Sequence, residues 1–190
     1  MSRNYYIADT HFGHANCISF DGRPFETIEE HDETLIANWN SVVTDKDHVY
    51  ILGDFAFKNE RPVSEYTKKL KGHLHLIRGN HDKKTAEYES CFETVDDVLT
   101  VPDVLDGIKH RVVLCHYWMP FVGQRKIMLY GHTHTGSEYV LEELLKEELK
   151  RNDYPINSYN VGCMHIGYFP RTLEQIVSGY TADRKEEELL

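Results

Sequence analysis

Five short clusters of Asp, His and Asn mark this 190-residue chain, and each begins where an apolar run stops. Short apolar runs of this kind predict buried strands, and the segments between them carry helical patterns. The runs end at Ala8, Leu52, Ile77, Cys115 and Tyr130. Binding crevices in α/β sheets form at the carboxyl ends of strands. We therefore predict an α/β fold in which five loops bring these polar side chains together.

Helix and hairpin patterns account for much of the remaining chain. Apolar residues at helical spacing predict helices over 27–43, 63–70, 82–90, 139–150 and 173–178. Two β-rich segments, 93–101 and 108–115, flank turn residues and predict an antiparallel hairpin, so the sheet that contains it is mixed. The helix at 139–150 has one leucine-rich face, which we expect to pack on the sheet, with a partner-binding surface as the alternative.

Composition favours one domain with its own core. Hydrophobic residues make up 41% and charged residues 27% of the chain. No repeat or linker divides it, and we expect a single domain over residues 1–182 and a frayed, charged tail at 183–190. No run approaches the roughly 18 apolar residues that a membrane span needs, so we expect no membrane partner. The N-terminus reaches a charged residue too early for a signal peptide, and the four scattered cysteines favour a reducing, cytoplasmic location.

The charge balance argues against a protein that binds long nucleic acids. The chain has 21 basic and 31 acidic residues, a formal net charge of -10. Such a chain repels a phosphate backbone unless it carries local basic patches or metal ions. A small anionic ligand held by bound metal ions remains compatible with this charge.

The side chains of the five clusters suit a site for two metal ions. Alternate residues of an extended segment point the same way, so we expect Asp9 and His11 to face one space, and His132 and His134 likewise. Nitrogen and carboxylate ligands without thiolates favour Zn, Fe, Mn or Co. A carboxylate such as Asp54 can bridge two ions roughly 3.5–4 Å apart.

The five clusters resemble the five motifs of the calcineurin-like metallophosphoesterases, all present and in the family's order. They read Asp9-x-His11, Gly53-Asp54, Gly79-Asn80-His81-Asp82, His116 and Gly131-His132-x-His134. The resemblance implies a four-layer α-β-β-α sandwich with two mixed β-sheets. It also implies a centre of two divalent metal ions, for which Mn, Fe, Zn, Co and Ni are all candidates.

The resemblance further implies a role for each motif residue. One metal ion would be held by Asp9, His11 and His134. The other would be held by Asn80, His116 and His132. The carboxylate of Asp54 would bridge the two ions, and His81 would lie beside them without ligating either.

On this basis we expect a metal-dependent phosphoric ester hydrolase. Metal ions lower the pKa of bound water, so a metal-bridging hydroxide would attack phosphorus. The leaving alkoxide then needs a proton, for which His81 is the candidate general acid, with Asp82 holding or charging its imidazole.

Three further residues are candidates for contact with substrate. His14 could contact a phosphate, or could equally fix its own loop by a hydrogen bond. Arg23 and Arg78 could clamp phosphate oxygens, with ion-pair or surface roles as the alternatives.

The chain has little room for a large specificity cap, which favours an open site. We expect a small phosphoester or nucleotide substrate, either a phosphodiester or a phosphomonoester. A nuclease acting on short nucleic acids is one alternative. A metal-binding protein-interaction scaffold without turnover is another. The oligomeric state is open, and either the hairpin or the leucine-rich helix could mediate a dimer.

Overall fold

The computed structural model describes residues 2–58, 61–123 and 125–179. Eight strands of these residues form two four-stranded sheets, in the orders β1-β2-β3-β4 and β5-β6-β7-β8. The first sheet contains β1 Asn4–Ile7, β2 His48–Ile51, β3 His73–Ile77 and β4 Thr94–Asp96. The second contains β5 Val98–Leu105, β6 Ile108–Cys115, β7 Lys126–Tyr130 and β8 Ser158–Asn160.

Helices connect these strands and lie between the motif loops. They are α1 Asn16–Asp21, α2 Ile28–Val42, α3 Val63–Thr67, α4 Ala86–Glu89, α5 Ser137–Arg151 and α6 Leu173–Val177. Helix α2 begins as its sequence predicts, because the side chain of Thr27 accepts a hydrogen bond from the backbone N–H of Glu30 at 3.2 Å. The short helix α1, which directly follows the first motif, was not predicted.

The predicted α/β architecture with two sheets is confirmed, with one refinement. All three pairings of the first sheet are parallel. In the second sheet β5 and β6 form the predicted antiparallel hairpin, and the other two pairings are parallel. Only the second sheet is therefore mixed.

A shared core joins the two sheets. Val49 and Leu76 of the first sheet belong to the same buried cluster as Val112 and Leu129 of the second. The phenol of Tyr6 adds a polar link, since it donates a hydrogen bond to the carboxylate of Asp103 at 2.6 Å. This packing aligns the ends of β1, β2, β3, β6 and β7, and it is this alignment that gathers the motif loops.

Helix α5 has the predicted position, but it buries its charged face and not its apolar face. Its charged residues Glu142 and Lys146 are buried, whereas the leucine-rich face points to solvent. The prediction that this apolar face packs on the sheet is therefore wrong. The reason is a buried polar contact: Glu142 accepts hydrogen bonds from the hydroxyls of Tyr130 and Thr133 on the inner side.

Two predictions about the chain as a whole, the domain boundary and the frayed tail, stay predictions. The tail at 183–190 lies outside the described residues, and no observation tests the domain boundary at 182. Among the described residues, none of the helices combines the length and apolar character that a membrane crossing requires.

Candidate metal centre

The five motifs meet around one depression, on the loops that follow β1, β2, β3, β6 and β7. The depression is open to solvent on one side. It is lined by His11, His14, Asn16, Phe20, Asp54, Phe57, Lys58, Asn80, His81, His132 and His134. Six of the motif side chains thus share one surface, and Asp9 and His116 lie buried beneath it.

Four of these residues form a compact set of ligand atoms. Asp9, His11, Asp54 and His134 each offer one nitrogen or oxygen, and these atoms lie within 4.8 Å of one another. The Nε2 atoms of His11 and His134 are 3.3 Å apart. His134 Nε2 lies 3.8 Å from Asp9 Oδ1. This set can hold a metal ion.

A second group of ligand atoms surrounds His116. Its Nε2 lies 3.0 Å from Asn80 Oδ1 and 3.6 Å from Asp54 Oδ2. The ring of His132 packs against it, with ring centroids 5.0 Å apart. Asp54 Oδ2 is also 3.7 Å from His11 Nε2. Asp54 therefore lies between the two groups, where a bridging carboxylate has to lie.

Hydrogen bonds on the far side of two imidazoles orient them towards the centre. His116 Nδ1 donates to the backbone carbonyl of Leu52 at 2.9 Å. His134 Nδ1 donates to the carboxylate of Asp21 at 2.8 Å. Because these oxygens can only accept, the proton is on Nδ1 in both rings, and each Nε2 presents a lone pair to a cation.

The backbone of the motif loops is held in a conformation that most residues avoid. The φ angles are 55° at Asp9, 50° at His11, 53° at Asp54 and 74° at His132. Left-handed backbone is uncommon in residues other than glycine, and such strain concentrates at functional sites. Asp9 and His11 are thus not aimed by an extended segment as expected. Each is turned inward by its own left-handed backbone.

Two motif glycines are required by close approach to the central carboxylates. A Cβ on Gly79 would lie 2.2 Å from Asp54 Oδ1. A Cβ on Gly131 would lie 2.5 Å from Asp9 Oδ2. Neither gap admits a side chain, so these positions accept only glycine while the carboxylates stay in place.

Burial shifts the pKa values of two candidate ligands in opposite directions. Burial raises the pKa of Asp9 to about 6, against the opposing effect of His116 and His134. Burial, followed by the charge of His134, strongly lowers the pKa of His11. The buried Nδ1 of His11 has no hydrogen-bond partner in the described part of the chain. Buried carboxylates beside imidazole nitrogens form a donor set that fits borderline divalent cations.

His81 lies at the open side of this centre. Its Nε2 is 3.9 Å from Asp54 Oδ2, and its side chain is 33% exposed. The ring rests on Phe57, with centroids 3.9 Å apart. The imidazole can therefore reach both the central ligands and a molecule that enters from solvent.

The expected contact between Asp82 and the His81 imidazole is wrong. Asp82 Oδ2 accepts from the backbone N–H groups of Asp54 and Gly79, at 2.8 and 2.7 Å. Its Oδ1 accepts from the Phe55 N–H and the Tyr88 hydroxyl. Both oxygens are used to fasten the second and third motif loops together. Asp82 is thus a positioning residue.

The two arginines do not face the depression, so the structure contradicts their predicted contact with substrate. Arg23 is 4% exposed and donates to the Asp21 carboxylate and to the backbone carbonyls of Asp9 and Thr10. Arg23 thus holds the backbone of the first motif loop on the side away from the depression. Charge attraction explains both placements, since each guanidinium pairs with carboxylates that do not line the depression, Arg23 with Asp21 behind His134 and Arg78 with Asp97 and Glu89.

Arg78 shows the second case. Its guanidinium donates to both carboxylate oxygens of Asp97, at 2.9 and 3.1 Å, and to Glu89 at 2.7 Å. These are the ion pairs that the sequence left open as the alternative role.

His14 does lie at the depression, as the sequence predicts. Its ring centroid is 5.4 Å from that of His11, and its buried Nδ1 lacks a partner in the described residues. It also borders a neighbouring cavity of about 350 Å³.

Sequence reasoning missed four residues at this centre, among them Phe20, whose ring lies against those of His11 and His134. Asp21 orients His134, Phe57 supports His81, and Lys58 places a cation at the rim. Phe57 and Lys58 lie three and four residues after Asp54, so their closeness to that motif in the sequence was the available signal. Asp21 carried none, because its partner is 113 residues away.

Two curated proteins share sequence with this chain. The uncharacterized protein MJ1445 of Methanocaldococcus jannaschii is 52% identical over 85 residues, 44% of this chain and 48% of that protein. The chain thus spans about half the length of that relative. The Gene 66 protein of Mycobacterium phage L5 is 30% identical over 165 residues, 71% of this chain and 79% of that protein.

Solved structures extend the comparison to the fold. A protein of unknown function from Aquifex aeolicus, AQ665, superposes with a TM-score of 0.65 at 23% identity, with all of both chains covered. A novel archaeal phosphodiesterase gives a TM-score of 0.42 at 20% identity, over 69% of this chain and 73% of that one. A match that weak carries no argument about chemistry.

No protein-family model matches the sequence. The resemblance to metallophosphoesterases therefore remains a prediction, supported by the five motifs and their convergence. The match to the phage protein, at 30% identity over 79% of its length, is sufficient to assign the two proteins to one family. The chain belongs to the same family as the Gene 66 protein of Mycobacterium phage L5.

Proposed function

We propose that this protein is a phosphoesterase that depends on two divalent metal ions. The observation that carries the proposal is the position of Asp54. Its Oδ2 lies 3.7 Å from His11 Nε2 and 3.6 Å from His116 Nε2, between two groups of nitrogen and oxygen ligands. One carboxylate oxygen shared by two ligand groups is the arrangement that a two-metal site requires.

The ligands divide between the two groups as follows. Asp9, His11 and His134 would hold one ion, Asn80, His116 and His132 the other, and Asp54 both. The ions would supply Lewis-acid polarisation of a phosphoryl oxygen and activation of a water molecule near neutral pH. Four positive charges against the two carboxylates Asp9 and Asp54 would also attract an anion to an acidic protein.

The chain's own residues handle the substrate and the proton. His81, beside the centre and open to solvent, donates a proton to the leaving oxygen. Phe57 holds the His81 ring in place through its packing. Lys58 and His14 line the depression, where they orient the anionic group.

The surface beside the centre favours a substrate larger than inorganic phosphate. His14, Asn16 and Lys58 line both the depression and the adjoining cavity of about 350 Å³. Ile28, Ile36 and Tyr66 add apolar surface to that cavity, and its charged lining has both signs, with Lys58, Arg61 and Lys69 against Glu29, Asp32 and Glu33. A small phosphodiester or a nucleotide fits this combination, whereas the net charge of -10 disfavours long nucleic acids.

The test is hydrolysis of bis-p-nitrophenyl phosphate and p-nitrophenyl phosphate by Mn²⁺-loaded protein. We expect turnover that chelation and Asp54→Ala both abolish. The matched control is Asp45→Ala, an exposed aspartate away from the motifs, which keeps full activity. Bound metal without turnover of either ester would contradict the proposal and favour a metal-binding scaffold.

A further inference from the structure

Three aromatic rings in mutual contact line the depression that holds the candidate ligands. The ring of His14 contacts those of Phe20 and Phe57, with centroids 5.7 and 4.9 Å away. All three side chains belong to the lining of the depression. We call Phe20, His14 and Phe57 the aromatic wall.

The aromatic wall extends from the first ligand group to the candidate general acid. At one end the Phe20 ring lies 5.4 Å from that of His134 and 6.3 Å from that of His11. At the other end the rings of Phe57 and His81 are 3.9 Å apart. An ester whose phosphate is held at the ligand groups and whose leaving oxygen faces His81 therefore lies alongside the wall.

Phe20 is not held in the wall by the hydrophobic core. Helix α1 buries Cys17 and Asp21, whereas the Phe20 side chain is 51% exposed and lies outside the buried core cluster. Within the described residues its ring contacts are all with histidines of the site. Half of a large apolar ring thus faces solvent at the depression, and a bound molecule that covers it gains the free energy of that burial.

A metal centre beside an aromatic wall suits a ligand that has both an anionic phosphate and a planar aromatic group. Stacking of one base on an aromatic side chain raises affinity by roughly 10- to 100-fold, and every base offers a face for it. Asn16 and Lys58 line the same depression and supply hydrogen-bond donors for sugar and phosphate oxygens. A nucleoside that carries a phosphoester combines these groups in one small molecule.

We propose that the aromatic wall binds the base of a nucleoside phosphoester and that Phe20 is the residue that determines this specificity. The inference rests on the proposed function and adds the substrate class to it. Phe20 contributes the exposed ring on which the base stacks. Phe57 completes the wall and also supports the His81 ring.

Binding of two phosphates that differ by a base tests the wall without turnover. Isothermal titration of the Mn²⁺-loaded protein should show AMP binding at least about 10-fold more tightly than ribose 5-phosphate. Phe20→Ala should remove most of this preference, and Phe20→Trp should retain it because the indole also stacks on a base. The matched control is Phe121→Ala, which should keep the preference. Phe121 is 70% exposed, but its ring contacts Tyr154 and does not line the depression.

Turnover of two matched esters separates this inference from the proposed function. The p-nitrophenyl esters of TMP and of methyl phosphate share a leaving group and differ in the nucleoside. We expect the wild type to have a lower KM for the TMP ester, and Phe20→Ala to raise that KM by roughly 10-fold or more. Circular dichroism and metal content establish that each variant is folded and loaded.

The outcomes of the two experiments are distinct. Turnover of both esters with equal KM, together with equal affinities for AMP and ribose 5-phosphate, would overturn the aromatic wall and leave the phosphoesterase in place. Base-dependent binding without turnover of either ester would support the wall and contradict the proposed function. A preference for AMP that Phe20→Ala retains would overturn the role of Phe20.

Discussion

At the level of single residues, the chemistry of the centre depends on partners that point each imidazole inward. Asp21 accepts from His134 Nδ1 at 2.8 Å and also pairs with Arg23 at the same distance. The bond to Asp21 raises the pKa of His134, although burial alone would lower it. A carboxylate behind an imidazole fixes the ring and makes its free nitrogen a better ligand.

The first prediction concerns Asp21, which holds the ring of the candidate ligand His134. Asp21→Asn should weaken metal binding by roughly 10- to 100-fold, because the His134 ring loses its charged acceptor. Isothermal titration with Mn²⁺ measures the change. Asp103→Asn is the control, since the Asp103 carboxylate accepts a hydrogen bond from the hydroxyl of Tyr6, a residue outside the centre. Equal losses in both variants would mean that Asp21 acts on stability alone.

The second prediction concerns proton transfer. His81→Ala should lower kcat by roughly 10²–10⁴ for an alkyl phosphoester, because its leaving oxygen needs a proton. The loss should be much smaller for a p-nitrophenyl ester, whose leaving group is stable without one. Metal content per chain should stay at the wild-type value. An unchanged rate on the alkyl ester would remove His81 from the mechanism.

The sequence predicted which side chains meet, but not how each is held. The candidate ligands are readable because each follows its strand within a few residues, and the strand ends fix their location. Asp82 was assigned to His81 because the two are adjacent in the chain. In the structure its oxygens are taken by Asp54, Gly79, Phe55 and Tyr88 instead. Adjacent residues often point to opposite sides, and a sequence does not reveal which.

At the level of secondary structure elements, Asp47 connects the segments that precede β1 and β2 in the first sheet. Asp47 precedes β2 and accepts from the backbone N–H of Arg3 at 2.8 Å. It also accepts from the backbone and the hydroxyl of Thr44, at 2.8 and 2.7 Å. Burial would raise the pKa of Asp47, but these hydrogen bonds outweigh it and hold that pKa below its usual range.

The third prediction is a pH dependence that follows from this shift. A lowered pKa in the folded state stabilises the fold above the unfolded pKa of about 3.9, and the contribution is lost as pH falls through the folded value. Asp47→Asn should lower the free energy of unfolding by about 1–3 kcal/mol at pH 7. Urea denaturation of the chelated proteins should show the difference shrinking below pH 4. A difference that is constant with pH would contradict the assignment.

Helix α5 shows where a pattern of apolar residues misleads. Its leucines predict an inward face, since an amphipathic helix normally packs its apolar side on the core. Here a buried ion pair between Glu142 and Lys146 occupies that side. Glu142 accepts hydrogen bonds from the hydroxyl of Tyr130 in β7 and from that of Thr133 in the loop after β7. These residues are 12 and 9 positions away from Glu142 in the sequence. Only the packed structure brings these partners together.

At the level of the whole molecule, the two sheets act as a frame for the centre. Strands β1, β2 and β3 deliver Asp9, His11, Asp54 and Asn80, and β6 and β7 deliver His116, His132 and His134. The frame also explains the strained φ angles, because the packed strands hold loops that would relax alone. The metal ions would then compensate the carboxylates that the frame keeps buried.

The fourth prediction tests the central claim, that two metal ions share Asp54. Protein loaded with Mn²⁺ and freed of excess metal is analysed by inductively coupled plasma mass spectrometry. We expect two ions per chain in the wild type, about one in His134→Ala and fewer than one in Asp54→Ala, because only Asp54 serves both groups. Asp45→Ala is the control and should retain the wild-type content. Two ions per chain in Asp54→Ala, or none in the wild type, would contradict the account.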